Sequence, residues 1–166
     1  ERRVELARIA GWVHDVGNMV NRKYHGLNGA TLLFPILCDI GFPVEEACEI
    51  CSAVGSHEEE VGAPISDISA ALIIADKVDA HRARVRKKKF SPNDIHDRVN
   101  YSIQSTKLTV SGNSITIDYT MNESASPMEF LSIYMTRMQM CEKSARFLGC
   151  SFALRINGVK LNRWDS

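Results

Sequence analysis

The chain has 166 residues, 45% of them apolar and 24% charged, which is the composition of an ordinary globular protein of one domain, or one domain and a small appendage. Its 20 basic and 20 acidic residues cancel, so no whole-surface field draws it to nucleic acid or anionic lipid, and neither partner is expected. No apolar run reaches the ~18 residues of a membrane span, and five cysteines, an odd number without a disulfide-like framework, point to a reducing cytoplasm.

Residues 1–103 read as helix after helix. Leu6, Ile9, Ala10 and Val13 recur at helical spacing, and this first helix is expected to end at Gly17. No capping residue stands before it, so the helical domain is expected to begin upstream of Glu1. A second helix covers about 29–40, with Leu32, Leu33, Ile36, Leu37 and Ile40 on its apolar side; Pro35 should bend it or remove a hydrogen bond. The third starts near Pro43 and runs to about Ser56. It contains Cys48 and Cys51, read as buried or half-buried thiols without chemistry because a structural zinc site needs about four ligands. The fourth follows Ser66 as N-cap and carries Ile68, Ala71, Leu72, Ala75 and Val78. Ser91-Pro92-Asn93-Asp94 offers a cap, a first-turn proline and an acid three residues on, and a fifth helix follows with Ile95, Val99 and Ile103.

Beyond Ser105 the period changes from helical to alternating. Leu108 and Val110, a Ser111-Gly112-Asn113 turn, and Ile115, Ile117, Tyr119 and Met121 make a hairpin. Ser126-Pro127-Met128-Glu129 is a complete capping box for a long helix with Phe130, Tyr134, Met138, Cys141, Ala145 and Leu148 as a core stripe. Asn157-Gly158 then joins two short strands. The expected division is 1–104 and 105–166, the second part being a β-β-α-β-β unit with an antiparallel sheet. Free sheet edges often associate, so a homodimer is an expectation of the same logic.

Chemistry concentrates in five residues near expected helix ends. His14-Asp15 lies in Gly-Trp-Val-His-Asp-Val-Gly-Asn, His25 in His-Gly-Leu-Asn-Gly-Ala, His57 in Gly-Ser-His-Glu-Glu, and Asp76 in Ile-Ile-Ala-Asp-Lys. Imidazoles and carboxylates are the ligand set of iron, manganese and related divalent ions. An adjacent His and Asp at the end of an apolar helix are costly to bury unless a positive charge pairs with them. On a regular helix they diverge by about 100°, so they can share an ion only where the helix ends. Other readings stay open: a helix carboxylate paired with Arg82 or Arg84 for Asp76, a surface loop for His25, and a helix C-terminus for His57. His81 and His96 are read as ordinary surface or packing residues.

This ordered set resembles the HD superfamily of metal-dependent phosphohydrolases, over roughly residues 1–85. The family has a first His, a His-Asp doublet and a later Asp converging from separate helices of one bundle. His14-Asp15 and Asp76 match the doublet and the last Asp. His25 and His57 match extra histidines that some members use for a second metal or for substrate phosphate. No His precedes His14, and the family's first His is expected upstream of Glu1. The resemblance implies a mainly α fold, an HD-type helical bundle, with one or two divalent ions: iron, manganese or another transition metal, with magnesium as an option. It implies His14, Asp15, His25, His57 and Asp76 as ligands, Asp15 and Asp76 as catalytic carboxylates, and a small phosphorylated substrate.

Arg82 would steady substrate phosphate, with Lys77 as a weaker candidate. Asn18, which stands where many relatives place a Lys, is taken as a third substrate contact. The Gly-Tyr-Pro extension of the cyclic-dinucleotide branch is absent after His57. The pattern His25-x-x-x-Gly29-Ala30 with Ile74-Ala75-Asp76 looks closer to bacterial members that cleave nucleotide phosphates, including dinucleoside tetraphosphates. The alternatives are a non-catalytic nucleotide-sensing HD domain and a di-iron oxygenase of the same fold.

Overall fold

The computed structural model of the chain describes residues 1–81 and 90–162. They form six α-helices and a four-stranded mixed sheet, a mainly helical architecture. No helix among the described residues is long and apolar enough to cross a membrane. The chain divides into two compact units between Asp76 and Lys77, not near residue 104. The fifth helix packs on the sixth and on the first strand, so it belongs with the sheet.

The first unit holds α1 (Arg2–Val13), a 3-10 turn (Val16–Met19), α2 (His25–Asp39), α3 (Val44–Gly55) and α4 (Asp67–Lys77), whose last residue crosses the division. Leu6 and Ala10 of α1, Leu33 and Leu37 of α2, Ala47, Ile50 and Val54 of α3, and Ile68 and Leu72 of α4 meet in one buried cluster. Each larger side chain withdrawn there from water contributes about 1.5–3 kcal/mol. Arg2 reaches Glu46, and Arg3 reaches Glu49 and Asp67, so exposed ion pairs link α1 to α3 and to the start of α4. Ser66 caps α4 as expected, its hydroxyl accepting from the Ser69 N–H at 3.1 Å.

Within this unit the first and second helices have boundaries that differ from the sequence reading. The first helix stops at Val13 rather than Gly17. The second begins at His25, four residues early, behind Tyr24 at φ +59°. Gly26 and Gly29 suggest a loop because each costs about 1 kcal/mol against alanine in a helix. Tertiary packing offsets that cost. A Cβ on Gly26 would lie 2.8 Å from the Val54 carbonyl oxygen and 3.1 Å from His57 Nδ1, so α2 and α3 approach closely only because the atom is missing. Gly17 plays the same part for the 3-10 turn, where a Cβ would collide with the His25 carbonyl oxygen. Pro35 stands inside α2 without ending it.

In the second unit α5 (Ile95–Ser102) is capped by Asp94, which accepts from the His96 N–H, and not by Ser91. Ile103, expected on this helix, is instead the first residue of β1 (Ile103–Ser111). It pairs antiparallel with β2 (Ser114–Met121). The Ser126–Glu129 capping box then starts α6 (Pro127–Phe147). β3 (Ser151–Ile156) pairs parallel with β2, and β4 (Val159–Lys160) antiparallel with β3. The sheet is therefore mixed rather than antiparallel. The reason is the crossover: a helix of 21 residues, about 31 Å at 1.5 Å per residue, carries the chain back to the end where β2 began, so β3 starts beside it. Its stripe packs on the sheet as expected, with Phe130 4.8 Å from Tyr119 and 4.9 Å from Tyr134 between ring centres. Asn157 and Gly158 both take positive φ, the requirement of a tight two-residue hairpin turn.

Replacing Gly17 with alanine should lower stability by about 1–3 kcal/mol, because the collision is with backbone and cannot be relieved by a rotamer change. Gly11→Ala is the matched control. It meets nothing within 4 Å and lies in a helix, so the melting temperature should hold or rise. Equal effects of the two substitutions in thermal melts would contradict this packing account.

Candidate metal centre

The doublet sits where α1 ends. His14 keeps helical angles (φ −56°, ψ −33°), whereas Asp15 leaves them (φ −92°, ψ 2°), so the two side chains turn toward one region. His25 is the first residue of α2, His57 follows the C-cap of α3, and Asp76 is next to last in α4. All five expected ligand residues come together within the first unit. Their ligand atoms make two groups, His14–His57–Asp76 and Asp15–His25–His57, with the atoms of each group within 4.8 Å of one another.

His57 belongs to both groups and is only 1% exposed. Its ring stands edge-on to His14 at 5.1 Å and to His25 at 4.8 Å between centres. The sequence reading assigned it to a second ion with His25; the structure sets it equally beside the His14–Asp76 pair.

The three imidazoles are held alike. His14 Nδ1 faces the Gly11 carbonyl at 2.7 Å, His25 Nδ1 the Arg22 carbonyl at 3.0 Å, and His57 Nδ1 the Val54 carbonyl at 2.6 Å, in each case three residues back. A carbonyl only accepts, so each Nδ1 must carry the proton that is donated. In a neutral ring that leaves a lone pair on Nε2. His25 Nε2 and His57 Nε2 then face each other at 3.0 Å, two acceptors without a proton between them. Such a pair is repulsive until a cation or an added proton enters. The same arrangement, with Nδ1 tied back and Nε2 presented, is how histidines are set to ligate metals.

Carboxylates complete both groups. Asp15 Oδ1 lies 3.1 Å from His25 Nε2, and its Oδ2 lies 3.7 Å from His14 Nε2, so this side chain reaches toward both groups. Asp76 Oδ1 lies 3.6 Å from His14 Nε2, an ion-pair contact longer than a hydrogen bond. The Asp76 carboxylate outweighs desolvation and holds the His14 imidazole above its ordinary pKa. The surroundings thus favour positive charge at this point. The donor set fits a divalent transition metal: nitrogen and carboxylate oxygen, several groups converging, and at least one of them, Asp15, open to solvent.

The expected substrate contacts fare differently. Asn18 donates its amide to Asp15 Oδ1 at 2.8 Å and so orients that carboxylate. Lys77 is buried, 3% exposed, and engaged within the protein. Arg82 and the rest of the basic run to Lys89 lie outside the described residues. His81 contacts the Gln104 carbonyl oxygen, and His96 is exposed, as expected of residues outside the site. Cys51 is buried, and that burial pushes its thiol up to about 11, so it stays protonated and inert, whereas Cys48, expected to be at least half-buried, is exposed.

One contributor went unread in the sequence. Glu58 is 7% exposed; its Oε1 lies 2.7 Å from His25 Nδ1, and its Oε2 accepts from the Gly26 N–H at 3.1 Å. Within Glu58-Glu59-Glu60 it looks like part of a solvated acidic run, and only its place directly after His57 hinted otherwise. Comparison of the chain with protein-family models, with curated proteins and with solved structures finds no match.

Proposed function

We propose that this protein is a metal-dependent phosphohydrolase of the HD type, a phosphatase or phosphodiesterase acting on a small phosphorylated metabolite, with nucleotides as the leading class. The observation that carries this reading is the convergence of three Nδ1-anchored histidines and two aspartates around His57. It joins the resemblance of His14-Asp15 and Asp76 to the family's doublet and last aspartate. When bound, a divalent cation lowers the pKa of water and polarises a phosphoryl oxygen.

The protein's own residues supply the rest. His14, His57 and Asp76 form one ligand group, and Asp15, His25 and His57 the other. Asp15, the most exposed of the five, spans the two groups and is held in place by the Asn18 amide. The site is anionic without a cation, so phosphate would be repelled from it and binding of substrate follows binding of metal. Five cysteines without a disulfide are in keeping with a reducing, cytoplasmic setting.

The test is turnover of a panel of mono- and dinucleotide phosphates by the full-length protein, with and without chelator, and with manganese added back. Manganese-supported hydrolysis is expected to vanish on chelation and to fall roughly 10²-fold or more in Asp15→Asn and Asp76→Asn, the scale of removing one group that stabilises transition-state charge. Activity with a redox-silent ion such as zinc or magnesium would separate hydrolysis from oxygen chemistry. Turnover that survives chelation, or is unchanged in both variants, would remove the proposal.

A further inference from the structure

We infer that Glu58 is a positioning residue that makes the Asp15–His25–His57 group an anion-supported cation site through His25; this rests on the metal reading above. The three histidines share a backbone carbonyl behind Nδ1, and His25 has a second oxygen there, Glu58 Oε1 at 2.7 Å. A buried glutamate is costly unless its charge is compensated. Here Oε2 accepts from the Gly26 N–H, and Oε1 lies in ion-pair contact with His25 Nδ1, whose proton is directed to the Arg22 carbonyl. A glutamine keeps the shape without the charge, and an aspartate is one methylene shorter.

The consequence lies at the far nitrogen. A carboxylate behind Nδ1 makes the imidazole a stronger donor at Nε2, the atom that faces Asp15 Oδ1 at 3.1 Å and His57 Nε2 at 3.0 Å. Removing such a partner typically weakens metal binding 10–100-fold. At His14 the partner behind Nδ1 is the Gly11 carbonyl, a neutral acceptor. Glu58 also ties the loop after α3 to the first turn of α2 through Gly26, where the two helices lie close together. One residue therefore fixes both the position of His25 and its strength as a ligand.

The experiment follows the histidine ring nitrogens by NMR while zinc, buffered by a competing chelator, is raised over the full chain. His14 and His25 each belong to one group only, so each reports its own ion. In Glu58→Gln the His25 signals should require about 10–100-fold more free zinc to shift, while His14 responds as in the unsubstituted protein. Glu58→Ala should give the same split, and a thermal melt of each variant identifies one that has not folded. Equal weakening at His14 and His25 in a folded variant would assign Glu58 to the fold alone and overturn the inference, as would no weakening at all. If the unsubstituted protein shows no zinc response at any of its three site histidines, the metal reading itself fails, an outcome distinct from both.

Discussion

The first unit is organised around a conflict between nitrogen lone pairs. Three imidazoles reach one point, each with its Nδ1 proton committed to a carbonyl three residues earlier, and two of the Nε2 atoms stand 3.0 Å apart. The chain could have avoided this by turning one ring over, but the Nδ1 contacts prevent it. An arrangement that leaves acceptors facing acceptors next to carboxylates is stable where positive charge is supplied. That single requirement links the helix ends, the tautomers and the chemistry.

Geometry of this kind depends on backbones lying close together. The 3-10 turn behind His14-Asp15 rests against the carbonyl of His25 because residue 17 has no side chain, and α3 brings His57 against α2 because residue 26 has none. The hydrophobic cluster of α1 to α4 then holds four segments in register, so that groups from five positions of the sequence meet. Loss of packing at either glycine would therefore be felt first as misplacement of ligand atoms, where shifts under an ångström matter.

Much of this was legible beforehand, for identifiable reasons. His14, Asp15, His25, His57 and Asp76 stood out because imidazoles and carboxylates beside apolar helical runs need a partner, and all five converge. The capping box at Ser126 and the Asn157-Gly158 turn were readable because they are local, complete within four residues. What depended on long-range packing was not. The early start of α2 was hidden by glycines whose purpose appears only against α3. The parallel pairing of β2 and β3 was missed, although the length of α6 between them implies a crossover. Glu58 was masked by the two glutamates after it, and Asn18 looked free for substrate because its bond to Asp15 spans a turn no periodicity announces.

The most direct test of the central claim is anomalous diffraction from crystals of the protein loaded with zinc. The account predicts a peak about 2.0–2.1 Å from the Nε2 atom of His57, with His14 and Asp76, or Asp15 and His25, completing its shell. Zinc bound only elsewhere on the molecule, or a convergence point without anomalous density at saturating zinc, would contradict it.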